Sequence, residues 1–205
     1  DKNIVNFKNQ NFHIKAYNKK ILFNEANLFS KWYAFKKLSK LDYRKFKKVY
    51  CKEIKILLSK LNFQNNTLVH RDFHVSNLMY FEKNIAVIDS QDALIGNKAY
   101  DLASLIDDVR LRTSIKLKDK VLAYYLKKLK KNELKKFKND FEILSVLRNL
   151  KIIGTFMRLA IRDNKKKYLK LIPYAWEMIS FRMDKNTEFT NLKFILGNNF
   201  PKFIV

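Results

Sequence analysis

Glycine is nearly missing from this chain of 205 residues: three occur, and the first is Gly96. No glycine-rich loop that wraps backbone amides around a phosphate can stand before that position. Proline is also scarce, with two, while Lys, Asn, Ile and Phe abound. That bias is the mark of an AT-rich genome that writes lysine wherever a solvated residue will serve. The single cysteine, Cys51, excludes an internal disulfide and fits a reducing compartment. Beside Tyr50 and Ile54 on an expected helix, it reads as a packing residue. No apolar run approaches the length that spans a bilayer, and no signal segment is visible. No membrane partner is expected, and cytoplasm is the expected compartment.

Acidic residues are few, 19 against 43 lysines and arginines, for a net charge of +24. Taken alone, that excess points to nucleic acid. The lysines are spread along helices instead of gathered in one arm, so the reading is a solvated surface with weak nucleic-acid affinity as a side effect. With 47% hydrophobic residues the chain can bury one good core.

The informative stretch runs from Leu68 to Asp92. Thr67-Leu68-Val69 is a β-prone run after the turn-like Gln64-Asn65-Asn66. His70-Arg71-Asp72 follows, then Asn77 after four residues. Leu78-Met79-Tyr80 and Ile85-Ala86-Val87-Ile88 flank Phe81-Glu82-Lys83-Asn84, which reads as a hairpin loop. Asp89 closes the second strand, so the hairpin brings Asn77 beside it. This is the catalytic-loop grammar of a phosphotransferase of the protein-kinase type. In that grammar Asp72 accepts the proton of a substrate hydroxyl, while Asn77 and Asp89 hold Mg²⁺ on the phosphates of ATP. Two other readings use the same residues: Asp72 and Asn77 as turn caps, or His70, Asp72 and His74 as ligands sharing one strand face.

His70-Arg71-Asp72-Phe73-His74 through Asn77, with Ile88-Asp89 and Ala99-Tyr100-Asp101-Leu102-Ala103, resembles the aminoglycoside phosphotransferase and choline kinase superfamily. More narrowly, the chain resembles the bacterial anomeric kinases of N-acetylmuramate and N-acetylglucosamine used in cell-wall sugar recycling. The narrower likeness rests on Ile88 to Ala93, Leu28 to Tyr33, Arg148 to Phe156, Tyr168-Leu169 and Pro173 to Trp176. It covers nearly all of the chain from about Ile21 onward.

The resemblance implies an α+β, mostly helical fold: the C-terminal lobe of a protein-kinase-like enzyme with a short catalytic β-hairpin. Residues 1–205 are then one catalytic and substrate lobe, and the N-terminal lobe with its phosphate-binding loop is expected to be missing. The implied reaction moves a phosphoryl group from ATP, with Mg²⁺, to the anomeric hydroxyl of the sugar. Asp101 is expected to brace the catalytic loop through its backbone, with His70 supporting it. Arg71 either joins that network or reaches the phosphates. Ser90-Gln91 stands where a protein kinase has Phe-Gly, which argues against a mobile activation segment. Asp92 is a candidate for contact with substrate, or caps its loop. Glu25 either hydrogen-bonds sugar hydroxyls or pairs with a nearby lysine. Arg148 needs an internal carboxylate or an anionic ligand such as the muramate carboxylate. Two other functions remain: phosphotransfer to an aminoglycoside, choline or another alcohol, and a non-catalytic basic module that binds nucleic acid.

Elsewhere the periodicity predicts helices. One spans Lys19 to Leu38, with Leu22, Phe23, Ala26, Phe29, Trp32, Tyr33 and Phe35 on its apolar side. A second is capped by Asp42 and has a stripe from Tyr43 to Leu61 that includes Val49. Others cover Asp119 to Leu129, Phe141 to Ile161, Tyr168 to Leu171 and Pro173 to Arg182. Gly154, inside one of these, signals close packing or a bend.

Overall fold

The computed structural model describes residues 4–7, 10–63 and 66–204, so Gln64 and Asn65 of the expected turn lie outside the described residues. The chain opens with strands β1 (Ile4–Phe7) and β2 (Gln10–His13), followed by helix α1 (Lys19–Ala26). A π-helical segment (Phe29–Ala34) and the short α2 (Phe35–Lys37) lead to α3 (Lys40–Ser59). Then come β3 (Thr67–Val69), β4 (Leu78–Phe81), β5 (Asn84–Val87) and β6 (Leu94–Gly96). The rest is helical: α4 (Tyr100–Ile106), α5 (Ile115–Leu126), α6 (Leu134–Arg162), α7 (Ile172–Met183) and α8 (Thr190–Asn199). The fold is thus mostly helical with small antiparallel sheets. Among the described residues no helix is long and apolar enough to cross a membrane.

Two compact units share the chain: Asp1–Asn18 with Asn62–Phe141, and Lys19–Leu61 with Glu142–Val205. In the first, β3 and β6 pair antiparallel with Leu68 opposite Ile95. The segment before α1 lines the free edge of β6, with Tyr17 N donating to Ile95 O at 2.7 Å and Ile95 N to Lys15 O at 2.9 Å. At Gly96 a Cβ would stand 2.9 Å from Val69 Cγ2, so the backbone of β6 comes closer than a side chain permits. The buried carboxylate of Asp140 ties the strands to the start of α6. It accepts from Asn62 N at 2.8 Å, Phe63 N at 2.9 Å and Asn97 Nδ2 at 2.7 Å. With several charge-assisted donors its burial is compensated.

The second unit is built on aromatic packing. The buried ring of Phe29 contacts Tyr33, Tyr50, Trp176 and Phe200, with centroids 5.3 to 5.6 Å apart. The sequence predicts one helix from Lys19 to Leu38, whereas the structure has α1, the π-helical segment and α2. The interruption lies where Gly154 of α6 abuts the chain: a Cβ there would be 2.2 Å from the carbonyl carbon of Leu28 and 2.4 Å from Phe29 N. Close packing, not a bend, is therefore what this glycine serves.

Other boundaries also differ from expectation. Ser39, not Asp42, caps α3: its Oγ accepts from Asp42 N at 3.1 Å and donates to Asp42 Oδ2 at 2.7 Å. Asp42 is thus the third residue of a reciprocal capping arrangement. Val49 is 46% exposed and drops out of the buried stripe, while Glu53 enters it at 4%. Helix α5 starts at Ile115 because Ser114 caps it, with Leu117 N donating to its Oγ at 3.2 Å. Helix α6 starts well before Phe141, anchored by the buried Phe137.

Candidate active site

The candidate site is one continuous piece of the first unit, from Val69 at the end of β3 to Asp92. Buried Val69 fixes where the strand stops. The next two backbone amides turn toward α4: His70 N donates to Asp101 Oδ2 at 2.7 Å and Arg71 N to Asp101 Oδ1 at 3.1 Å. Arg71 adopts φ 72°, a left-handed conformation costing a side-chain-bearing residue about 1 kcal/mol. Hydrogen bonds to a carboxylate contribute about 1.5–3 kcal/mol each, enough to offset that strain. The Arg71 side chain lies over the Tyr17 ring at 5.1 Å and donates from Nη1 to Asp92 O at 3.1 Å. It therefore staples the start of the loop to its end.

His70 and Asn77 do similar work. His70 Nε2 lies 2.9 Å from Ile88 O, and a carbonyl only accepts, so this nitrogen carries the proton. Asn77 N donates to His74 O at 2.9 Å, and its side-chain Nδ2 to Asp72 O at 2.9 Å. Ile88 N donates to Asn77 O at 3.1 Å, which sets Asn77 beside the residue preceding Asp89. The hairpin β4–β5 holds this register with Leu78 opposite Val87. Its turn is tighter than the sequence suggests: only Glu82 and Lys83 lie between the strands, both at positive φ as in a type I′ turn.

Asp89 is itself left-handed, φ 68° and ψ 39°, which turns the chain sharply out of the strand. Its exposed carboxylate accepts from Gln91 Nε2 at 2.7 Å through Oδ1. The Asp72 carboxylate has no hydrogen-bond or ion-pair partner among the described residues, and its side chain is partly exposed. The loop and hairpin therefore carry an uncommitted carboxylate, an amide whose nitrogen is occupied and whose oxygen remains, and a second carboxylate. Asp92 is exposed on the short helical turn after Asp89. Among the described residues no group of three or more His, Cys, Asp and Glu is placed to share a metal ion, so His70, Asp72 and His74 do not form one.

A further residue grips this loop without having been singled out in the sequence. Buried Asp108 accepts from Val75 N at 3.2 Å through Oδ2, and from Arg110 Nη1 at 3.0 Å through Oδ1. Asp101 and Asp108 thus hold successive parts of the loop. The signal available was the Asp107-Asp108 pair two turns after Asp101; Asp107 instead pairs with buried Lys118 at 3.5 Å.

The remaining candidates lie in the second unit. Glu25 pairs with Lys151 at 3.1 Å. Arg148 is 4% exposed and its Nη1 has no hydrogen-bond partner. Cys51 has its thiol pushed up by burial, against the pull of Lys47, Lys55 and Lys31, which keeps it in the unreactive protonated form. It borders a cavity of about 780 Å³ with Phe35, Tyr43, Lys40, Arg44 and Lys47, a wall without a carboxylate.

The profile of the APH phosphotransferase enzyme family matches residues 20–137, a span that contains the whole loop, hairpin and Asp101. The chain belongs to this family. It is similar to the N-acetylmuramate/N-acetylglucosamine kinase of Neisseria meningitidis serogroup B, 34% identical over 166 residues, covering 78% of this chain and 50% of that protein. Kinases of the same description from Pseudomonas putida and Pseudomonas aeruginosa are each 28% identical. They cover 87% and 90% of this chain and 55% and 56% of their own lengths. The chain spans about half the length of the curated relatives it matches.

Proposed function

We propose that this chain is the C-terminal lobe of an ATP-dependent kinase acting on the anomeric hydroxyl of N-acetylmuramate or N-acetylglucosamine, in the cytoplasm, for cell-wall sugar recycling. The observation that carries the reading is the loop itself. Asp72 presents a carboxylate with no protein partner, while Asn77 is tied to the Asp72 backbone and, across the hairpin, to the residue before Asp89. The relatives' names supply the acceptor.

In this reading Asp72 accepts a hydrogen bond from the acceptor hydroxyl and takes its proton as the oxygen attacks. An anomeric hydroxyl is more acidic than an ordinary alcohol, so placement matters more than an altered pKa. The donor set at the hairpin fits Mg²⁺. Asn77 offers a hard amide oxygen because its nitrogen is occupied, and Asp89 offers an exposed carboxylate. When bound there, the ion neutralises charge on the nucleotide phosphates. Asp101, His70 and Arg71 keep the loop in shape, and Asp92 faces acceptor hydroxyls. Glu25 belongs to its ion pair with Lys151. The loop over the phosphates and the lysine that pairs with them come from the other lobe.

The test uses the intact two-lobed enzyme with Mg-ATP and, separately, N-acetylmuramate, N-acetylglucosamine, choline and an aminoglycoside, followed by phosphorus NMR. An acid-labile anomeric phosphate is expected with the two sugars, and Asp72→Asn reduces its formation by about 10²–10⁴-fold. Phosphate on choline or the aminoglycoside alone would replace the acceptor. Undiminished transfer by Asp72→Asn would remove Asp72 as the base.

A further inference from the structure

Helices α3 and α8 pack together in the second unit and leave a cavity of about 350 Å³ between them. Val49, Glu53 and Ile56 recur at helical spacing on α3, as Asn191, Ile195 and Asn199 do on α8, so each helix turns one stripe to the cavity. Glu53 is the one buried member of the wall; the others are half-buried or exposed. Four carboxylates are buried among the described residues, and three of them are satisfied. Asp107 pairs with Lys118, Asp108 pairs with Arg110, and Asp140 accepts from Asn62, Phe63 and Asn97. Glu53 has neither a hydrogen bond nor an ion pair among the described residues, and its Oε1 is buried. Even Lys52, its neighbour in sequence and on the same wall, does not pair with it. A carboxylate buried in this way is strongly disfavoured until something brings donors to it.

We infer that this cavity is a binding site for a guanidinium or ammonium group carried on an apolar stem. The less exposed polar groups of the wall ask for donors. Glu53 is a carboxylate, and Asn199 gives its side-chain nitrogen to the Ile195 carbonyl at 2.8 Å, which leaves its oxygen as an acceptor. A group that only donates completes such a wall, and among organic groups guanidinium and ammonium ions do so with a charge that matches Glu53. The rest of the wall suits the stem. Val49, Ile56 and Ile195 are aliphatic, and Phe194, 70% exposed, adds an aromatic ring for the cation to cover. The net charge of +24 does not forbid a cationic ligand, because exposed charges are screened beyond about 10 Å while Glu53 acts at contact. None of these residues belongs to the catalytic loop or its hairpin, so the inference does not rest on the phosphotransfer reading.

The test titrates the intact protein with butylguanidinium and, as a neutral isostere, butylurea, followed by calorimetry. Butylguanidinium is expected to bind one site with Kd of about 1 mM or tighter, and butylurea about tenfold or more weakly. Glu53→Gln keeps the shape of the side chain and removes its charge, so affinity for butylguanidinium should fall about tenfold or more. Without ligand the same variant should melt about 3 °C higher than wild type, because an unpaired buried charge is gone. Phe194→Ala, at an exposed position, should weaken binding about threefold. Asp72→Asn removes a partly exposed carboxylate elsewhere and should leave the affinity unchanged. Sedimentation separates the two sources of such a group. A monomer throughout assigns the site to a free small cation, and a dimer that butylguanidinium dissociates assigns it to a lysine or arginine of a second copy. The absence of saturable binding by the wild type, or equal affinity in Glu53→Gln, or loss of binding in Asp72→Asn would overturn the assignment.

Discussion

Asn77 donates its side-chain N–H to the backbone carbonyl of Asp72 at 2.9 Å, so one residue both shapes the loop that carries the proposed base and bonds the strand that leads to Asp89. Substituting Asn77→Ala removes that bond and the proposed oxygen ligand together. The Mg²⁺ concentration giving half-maximal turnover of the intact enzyme is expected to rise by about tenfold or more. Asn77→Asp keeps an oxygen but sets an acceptor against the Asp72 carbonyl, so it restores the metal response only in part. A metal titration of both variants distinguishes the two contributions.

Asp101 holds two successive backbone amides with one carboxylate. In Asp101→Asn one of those acceptors becomes a donor facing a donor. The loss is expected to be about 2–4 kcal/mol in urea denaturation. Turnover should fall about 100-fold as the loop shifts. A variant that unfolds at the wild-type midpoint would show that the loop keeps its shape without this clamp.

Gly154→Ala pits two effects against each other. Helix propensity favours alanine by about 1 kcal/mol. The new Cβ, however, would sit 2.2 Å from the Leu28 carbonyl carbon, a backbone atom that cannot rotate aside. Overpacking wins, with a net loss of about 2 kcal/mol and a Tm lower by about 5 °C. A higher Tm would mean that the Leu28–Phe29 backbone yields freely.

The ion pair between Lys98 and Glu133, 2.6 Å long, makes a pH-dependent contribution. The hydrogen bond from Lys98 holds the Glu133 carboxyl below the usual glutamate range. Because the folded value is depressed, this stabilisation is present above the unfolded pKa and is lost as pH falls through the folded one. Melting curves between about pH 5 and 3 should therefore decline less steeply for Glu133→Gln than for wild type. Parallel curves would show that the half-buried pair contributes nothing measurable.

The stretch from Thr67 to Asp92 is legible in the sequence because its pattern is local: a strand, a turn-rich loop and two alternating runs around a short turn. The family likeness is carried by the same residues. What could not be read off are relationships with partners far along the chain. Asp108 meets Val75 across 33 positions, and the Asp107-Asp108 pair by itself does not say which carboxylate turns to the loop. Strand β6 has only three residues and ends in glycine, so it lacks the length that makes alternation visible. Buried Lys118 and Glu53 look like two more charges on charge-rich helices; only packing reveals that they face inward. The π-helical segment keeps an apolar spacing close to that of an α-helix, and the glycine that abuts its start, Gly154, is over a hundred residues away. The start of helix α6 is hard to see in the sequence because its first turns are polar and rich in lysine, with Phe137 and Asp140 buried among them.

Among the described residues, every backbone position in the left-handed region carries a side chain: Arg71, Glu82, Lys83, Asp89 and Asn164. No glycine is found there. Two of the three glycines, Gly96 and Gly154, stand instead where a single added carbon would collide with a neighbour. The two uses differ in what they tolerate. An unfavourable torsion costs about 1 kcal/mol and can be outweighed by a well-placed hydrogen bond, whereas two atoms cannot occupy the same space. In a sequence this poor in glycine, the residue has become a spacer and no longer a hinge, and it is the turns that have adapted to doing without it.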